Sequence, residues 1–349
     1  MKQRVSITLT ILFLASVQAF GQFSIPIQFW AHDLEDRILV VMLEEIDEKI
    51  LKRKKREGAQ AAADYQSSVA EWNEGLQKLV PQYWPFGNSI EFKTREEVQA
   101  LVDEEDERYV ILDYRFTEEI LQSVKVFYKF EAYALLIFYP EYGDRLMRNY
   151  KVDNNNSGMS QYLSRGEYIF KISMPQSFLN ERDVKFAFHQ FDEFIEKAKT
   201  EGYEKERHRF AFKIANFDPK NALTLKDKTL LIPQEIMTVE ESLVQTGYPW
   251  AYEVMSLADI DEALQNDREG NYAYYSIIWS DKFRYWAMII VDNATGEILA
   301  ENTTVDRKFQ FRFGVPTLGN NMITLFKTPD ANMVINEEHI EKLNELVKL

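Results

Sequence analysis

Two stretches of the chain resemble each other, and the order of features around them restricts the architecture. Residues 79–102 align with residues 243–264 once a two-residue gap is allowed. The aligned pairs include Glu91 with Glu253, although identities within the two stretches are few. In both places a polar turn and an aromatic-rich stretch follow. This order predicts two diverged copies of one folding unit in tandem.

The later parts of the two copies also correspond. Each pair of stretches is apolar or aromatic and short, which is typical of strands. The pairs, in chain order, are 109–116 with 272–279, 133–138 with 286–291, 145–152 with 298–305, and 168–172 with 309–313. Each copy then closes with an amphipathic helix. The sequence therefore predicts an α/β (α+β) fold, each repeat reading strand–helix–strand–helix–three or four antiparallel strands–helix.

Turn-forming residues divide the chain into two domains. Short apolar runs at 37–43 and 229–233 fit a buried strand at the start of each copy. Asparagine, aspartate and proline cluster at 216–221, where the chain is expected to leave the first copy. We predict a first repeat domain at 22–205, which includes an N-terminal helical segment, and a second at 215–349.

Three helices are predicted from apolar stripes and capping residues. One stripe comprises Tyr65, Val69, Trp72, Leu76 and Leu79. Pro81 is expected to end that helix. Asn180 is a candidate N-cap for a helix with a stripe of Val184, Phe188, Phe191, Ile195 and Ala198. Asn336 is a candidate N-cap for the last helix, with Ile340, Leu343 and Val347 facing inward.

The N-terminus has the features of a secretory signal peptide. Lys2 and Arg4 precede an apolar run at 7–17, which is too short to span a bilayer. Small residues then precede Gln22, so we predict a removable signal at 1–21, with cleavage after Ala19 as an alternative. The expected location is the periplasm or the cell exterior.

Composition narrows the classes of partner and site. The chain has no cysteine, which excludes a lipid-modified cysteine, disulfides and thiolate metal sites. Its formal net charge is −15, which disfavours nucleic acid and anionic lipid as partners. No stretch after residue 21 is apolar for long enough to cross a membrane. We therefore expect no nucleic-acid partner and no transmembrane segment after signal cleavage.

The usual signatures of catalysis are missing from the sequence. The four histidines, His32, His189, His208 and His339, show no metal-ligand spacing. No nucleophile elbow, phosphate-binding P-loop or dinucleotide-binding glycine turn occurs. We predict no catalytic residue, no cofactor and no metal. Because carboxylates are abundant, a hydrolase with an unrecognised carboxylate pair stays open as an alternative.

Three polar segments each have a simple structural interpretation. Residues 153–158 begin like a calcium loop, but Ser164 stands where a bidentate glutamate is needed, so a polar hairpin loop is favoured. Residues 292–296 fit a hairpin turn in which Gly296 adopts a positive φ. The basic run at 52–56 fits a solvated helix end, while docking onto an acidic partner remains open.

Proline-punctuated aromatic segments occupy equivalent places in the two copies. We interpret them as structural corners whose rings close the end of each core. The alternative is a binding surface for a glycan or a protein. The candidate residues of that surface are Tyr83, Trp84, Phe86, Tyr248 and Trp250.

The first hundred residues resemble exported proteins of unassigned function from Bacteroidota-type bacteria. The resemblance rests on the signal, on RILVVMLEEIDEKILKRKK and on EWNEGLQKLVPQYWPFGNSIEF. It implies an envelope or secreted location and supplies no catalytic residue. The sequence thus favours a non-catalytic exported protein that contacts an envelope protein. A glycan-binding module is the alternative, and a hydrolase is the third hypothesis.

Overall fold

The computed structural model describes most of the chain from Asp33 onward. The described residues are 33–123, 126–144, 147, 169–174, 180–201, 219–280, 285–302, 324–327 and 334–346. They form a mixed α/β protein with two sheets, so the predicted α/β class is confirmed. No helix within these ranges has the length and apolar character needed to cross a membrane. The predicted signal segment and the 153–158 loop lie outside the described residues.

The first sheet is built mainly from the first half of the chain. Its strands are β1 (Ile38–Met42), β2 (Ile90–Lys93), β3 (Tyr109–Ser123), β4 (Val126–Phe138) and β5 (Phe170–Met174). β1 lies between β2 and β3 and is parallel to both. β3 and β4 form a long antiparallel hairpin, and β5 adds antiparallel to β4.

The second sheet has the same strand order and the same directions. Its strands are β6 (Thr229–Pro233), β7 (Tyr252–Met255), β8 (Tyr272–Ser280), β9 (Tyr285–Asp292) and β10 (Ile298–Glu301). β6 is parallel to both β7 and β8, while β9 is antiparallel to β8 and to β10. The order β10-β9-β8-β6-β7 therefore matches the order β5-β4-β3-β1-β2.

The strand registers also agree with the alignment of residues 79–102 with residues 243–264. Glu91 lies beside Val40 of β1, and Glu253 lies beside Leu231 at the corresponding place of β6. The first residue of β3, Tyr109, pairs with the first residue of β1. In the same way, the first residue of β8, Tyr272, pairs with the first residue of β6. The hydrogen-bond register is independent of the sequence alignment, and both place the same residues at equivalent positions of the two sheets.

Seven α-helices have bounds that fall among the described residues. They are α1 (Glu48–Glu57), α2 (Ala59–Tyr83), α3 (Arg95–Asp103), α4 (Glu181–Glu201), α5 (Glu241–Gly247), α6 (Leu257–Asn266) and α7 (Glu337–Leu346). Short 3-10 segments lie at Leu34–Asp36, Pro140–Tyr142, Pro219–Asp227 and Gln234–Ile236. Both predicted caps are confirmed, because Asn180 accepts from the amide of Asp183 (2.7 Å) and Asn336 from that of His339 (3.2 Å).

The end of α2 differs from the prediction. The helix passes through Pro81 and ends at Tyr83, with the amide of Trp84 still donating to the carbonyl of Val80 at 2.9 Å. Proline has no amide hydrogen to donate, but Pro81 is exposed and lies within the last turn of the helix, so only one helical hydrogen bond near the end is lost there. The prediction that Pro81 terminates the helix was therefore wrong by two residues.

The two sheets stack around a shared core that contains α4. Leu39 and Val41 of β1 lie in the same apolar cluster as Leu231 of β6, together with one face of α4 and the end of α2. The members of α4 in that cluster are Val184, Phe186, Ala187, Phe188, Phe191, Ile195 and Ala198. The helix α3 covers the outer face of the first sheet, and α5 and α7 cover that of the second.

Two expectations about strands need correction. Asp144 and Met147 are helical, so the strand expected at 145–152 is not continuous, and β5 takes the place beside β4 instead. In addition, β11 (Thr324–Lys327) comes from the range assigned to the second domain but pairs with β4 of the first sheet. β4 is much longer than β9, so its first residues extend beyond β5, and β11 pairs with them there.

Candidate functional site

A small cleft in the described structure lies at the seam between the two halves. It is formed by the end of α2, the first turns of α4, the helix α6 and the turn after β9. Its lining residues are Tyr83, Glu181, Arg182, Lys185, Asp261, Leu264, Gln265 and Asn293. Both positive and negative side chains converge here, so this seam cleft is the natural place to look for chemistry.

Arg182 is the central residue of the seam cleft. Its side chain is only 2% exposed, and its Nη1 lies 3.3 Å from Asp261 Oδ1 across the seam. Its Nε lies 3.6 Å from Asp183 Oδ1 on the same helix. The guanidinium also lies over the ring of Tyr274, 5.5 Å from the centroid. Arg182 therefore connects the first half to α6 and β8 of the second.

The carboxyl groups beside Arg182 are shifted by their surroundings. Burial raises the pKa of Asp183, although Arg182 and the amide of Asn180 oppose that shift. Burial also raises the pKa of Asp261, again opposed by Arg182. Because removal from water disfavours the charged form, Arg182 offsets part of the cost of ionising these two carboxyl groups.

A second set of contacts ties α4 to the turn after β9. The ammonium of Lys185 donates to the carbonyl of Asn293, and burial lowers the pKa of Lys185. The amide of Asn293 donates to the carbonyl of Leu264 (3.1 Å) and to Asp267 Oδ2 (3.0 Å). The turn is thus held by α6 and by α4 together.

The turn itself has the predicted form. Gly296 has a φ of 74°, and Asp292 Oδ1 accepts from the amide of Ala294 at 2.7 Å. A Cβ placed on Gly296 would lie 2.8 Å from the Cβ of His189 on α4. Glycine is needed both for the left-handed backbone and for the close approach of α4.

Tyr83 closes the rim of the seam cleft. Its hydroxyl donates to Glu181 Oε1, and Gln82 donates to the same oxygen at 3.3 Å. Burial and the carboxylate of Glu181 raise the pKa of Tyr83 well above its ordinary value. The end of α2 is thereby attached to the start of α4.

The side chains of the seam cleft hold the two halves together. Opposite charges are paired across it, and the buried pair of Arg182 and Asp183 is nearly removed from solvent. Within the described residues, no group of three histidine, aspartate or glutamate side chains is arranged to hold a metal ion. Such an arrangement fixes the relative position of the two sheets.

The five aromatic candidates do not form one surface. Trp84 is 7% exposed, packs against Phe188 and Phe191 of α4, and donates from Nε1 to Asn88 Oδ1 at 2.7 Å. Phe86 is half-buried against the same cluster. These rings close one end of the shared core, as the structural interpretation of the corner expects.

The second aromatic segment lies on the opposite face of the second sheet. Tyr248 is 1% exposed, and its ring lies 5.4 Å from the half-buried Trp250. Both belong to the outer cluster with α5 and α7. The two segments therefore occupy separate clusters, and only Tyr83 borders the seam cleft.

Sequence reasoning missed Arg182 and Asp261. A charged residue in the first turn of a helix usually lies in solvent, so nothing near Arg182 signals burial. The pairing with Asp261 joins residues about eighty positions apart and depends on how the halves stack. One signal was present, since Arg182 directly precedes a stripe that is apolar for most of α4.

The two described histidines, His189 and His339, contact side chains of their own helices or of the helix cap. His339 is fully buried in the first turn of α7, with Nδ1 2.7 Å from Asn336 Oδ1. Burial lowers the pKa of His339 to about 4. His189 is half-buried, 3.6 Å from Glu193. His32 and His208 lie outside the described residues.

Comparisons with known proteins were made at the level of families, curated sequences and solved structures. None of the three found a match.

Proposed function

We propose that this protein is a non-catalytic, exported component of the cell envelope, periplasmic or secreted, that works through contacts with another protein. The observation that carries the non-catalytic part of the proposal is the seam, where charges from both halves pair with one another; the exported location rests on the N-terminal sequence. Arg182 and Asp183 are 2% and 1% exposed. A catalytic group must touch a substrate, whereas these groups are committed to holding two sheets as one body.

We also propose that the body arose from two diverged copies of one unit, at roughly 22–205 and 215–349. The shared strand order and the matching registers support this origin. The first copy differs by its long α1 and α2, by a longer hairpin and by the strand that it receives from the second half. Features present in one copy only are the natural carriers of a specific contact.

Fractionation of the producing bacterium tests location and partner together. The protein is expected in the periplasmic or extracellular fraction, lacking residues 1–21, and cross-linked in the envelope to at least one other protein. Mass spectrometry of the mature N-terminus reads the cleavage site. A full-length cytoplasmic protein would contradict the proposal.

A panel of hydrolase substrates tests the catalytic alternative. We expect no turnover by the purified mature protein. Hydrolysis that is abolished by Glu181→Gln or Asp261→Asn, with the fold intact by circular dichroism, would overturn the non-catalytic proposal. Those two carboxylates are chosen because both line the seam cleft and remain partly accessible.

Glycan binding is a second candidate, and the partial exposure of Trp250 favours it. Its ring lies beside Tyr248, and the ammonium of Lys226 lies 5.9 Å from its centroid. Aromatic rings next to polar groups are suited to stack on sugars. Titration of tryptophan fluorescence with a polysaccharide panel, in the native protein and in Trp250→Ala, tests it. Unchanged fluorescence would remove this candidate.

A further inference from the structure

The helices α1 and α2 form a hairpin whose far end stands away from the sheets. At its base, the amide of Glu44 donates to Asn73 Oδ1 at 2.9 Å, and the Asn73 amide returns a bond to the carbonyl of Glu44. Further out, the amide of Asp47 donates to the hydroxyl of Tyr65 (2.9 Å). The two helices therefore run antiparallel and meet at Gly58.

The hairpin has no equivalent in the described part of the second half. Between β6 and β7 the chain forms only a short 3-10 segment and the helix α5, which has seven residues. From Ala59 to Asn73 the helix α2 rises about 20 Å. The shared core takes its α2 residues from Trp72 onward, so the earlier turns serve the hairpin alone.

A basic stripe lies along the exposed side of α1. Lys49, Lys52 and Arg56 are spaced three and four residues apart, and all three are exposed. The one buried residue of the helix, Leu51, points to the other side. Lys55 is exposed beside the stripe.

Most basic side chains of the stripe form no ion pair among the described residues, although Glu45 and Glu48 stand four residues before Lys49 and Lys52. Glu57 pairs with Lys54 at 2.8 Å and with Arg53 at 3.9 Å. Within the described part of the chain, Lys49, Lys52, Lys55 and Arg56 have no ion-pair partner. A solvated helix end explains the charges nearest Gly58, but the exposed basic residues continue back along α1 to Lys49, in a chain of net charge −15.

We propose that the basic stripe of α1 docks onto an acidic surface of a partner protein. The proposal rests on the proposed function and names the surface and the chemistry of the partner. The exposed ammonium and guanidinium groups of the stripe are open to solvent, so they can pair with carboxylates of another molecule. Complementary charge of this kind steers association and selects the partner.

A protein fits the stripe better than a membrane does. Helices that lie on anionic membranes combine basic residues with an exposed apolar face. Among the apolar residues of α1, Leu51 is 5% exposed and Ile50 is half-buried, while Ile46, just before the helix, is 39% exposed. A single exposed isoleucine beside the stripe is much less than the apolar face that such a helix inserts, and the acidic body behind it disfavours a broad anionic surface.

Charge reversal with a matched control tests the proposal. The test variant is Lys52→Glu with Arg56→Glu. The control variant is Lys78→Glu with Arg268→Glu, two exposed positions that give the same change in net charge. The probe is fluorescently labelled poly-L-glutamate, and its anisotropy is followed with the full mature protein at low and at rising salt.

We expect the test variant to weaken poly-L-glutamate binding by about tenfold or more, and the control to change it by about twofold at most. Equal weakening in both variants would overturn the proposal. The proposal would also be overturned if the native protein and the control bound vesicles of phosphatidylcholine and phosphatidylglycerol and the test variant did not, since a membrane would then be the target. Salt-sensitive self-association that only the test variant loses would also overturn it, because the occupant would then be a second copy. Turnover of a substrate would contradict the proposed function without altering these binding results.

Discussion

At the scale of single residues, the structure depends on a few buried charges placed where the halves meet. Arg182 and Asp183 are neighbours in sequence, yet Arg182 also reaches Asp261 in the other half. Removing one member of a buried pair leaves the other charge uncompensated, which costs more than the pair itself contributes. The seam cleft is therefore sensitive to single substitutions and tolerant of paired ones.

Substitution of Arg182 tests this account of the seam cleft. We expect Arg182→Met to lower the free energy of unfolding by about 3–5 kcal/mol, because Asp183 and Asp261 lose their counter-charge. The double variant Arg182→Met with Asp183→Asn should recover a substantial part of that loss. Urea denaturation of the three proteins measures both values. A double variant as unstable as Arg182→Met would contradict the pairing.

His339 makes stability depend on pH. Its pKa of about 4 in the folded protein lies below the unfolded value of 6.5. The neutral form is favoured by folding, so this contribution is complete above pH 6.5 and is lost as the pH falls toward 4. We expect up to about 3 kcal/mol of stability to disappear over that window.

The variant His339→Gln isolates this effect. Glutamine at this position can still reach the amide of Asn336, which preserves the capping contact without a titrating ring. The difference in unfolding free energy between native protein and variant should change by about 3 kcal/mol between pH 6.5 and pH 4. A difference that stays constant with pH would contradict a buried neutral histidine.

At the scale of elements, α4 is the piece that two sheets share. Its apolar stripe was visible in the sequence because helical periodicity is local, and so was its cap at Asn180. The sequence did not show which sheet face α4 packs against. Whether a stripe covers one sheet or lies between two depends on contacts between residues distant in the chain.

The close approach of α4 to the turn after β9 provides a test at this scale. We expect Gly296→Ala to destabilise the protein by about 2–4 kcal/mol, since the new methyl would press on His189 and the backbone would be strained. The control is Gly87→Ala, where a Cβ would meet nothing within 4 Å. Thermal unfolding compares the two. Equal effects would show that α4 does not approach the turn.

The elements also show where local sequence signals stop being sufficient. The short apolar runs that became β1 and β6 were recognisable, as were the aromatic strands β3 and β8. The pairing of β11 with β4 was not recognisable from the sequence. A four-residue strand is too short for its periodicity to indicate which strand it pairs with. The seam cleft was missed for the same reason, while the aromatic corner was found because its residues are consecutive.

At the scale of the whole molecule, the described residues of the two sheets are in contact over a shared apolar core. One apolar cluster contains residues of both sheets, and α4 packs on each. The seam cleft adds ion pairs to that contact, and β11 carries the chain of the second half back to the first sheet. Proteins with one shared core are expected to unfold in a single cooperative step.

Hydrogen exchange followed by mass spectrometry across a urea series tests this unity most directly. Peptides from β3 and β4 report on the first sheet, and peptides from β8 and β9 report on the second. If α4 joins the sheets into one body, both sets lose protection at the same urea concentration and with the same dependence on it. Loss of protection in two separate steps, one for each sheet, would contradict the account.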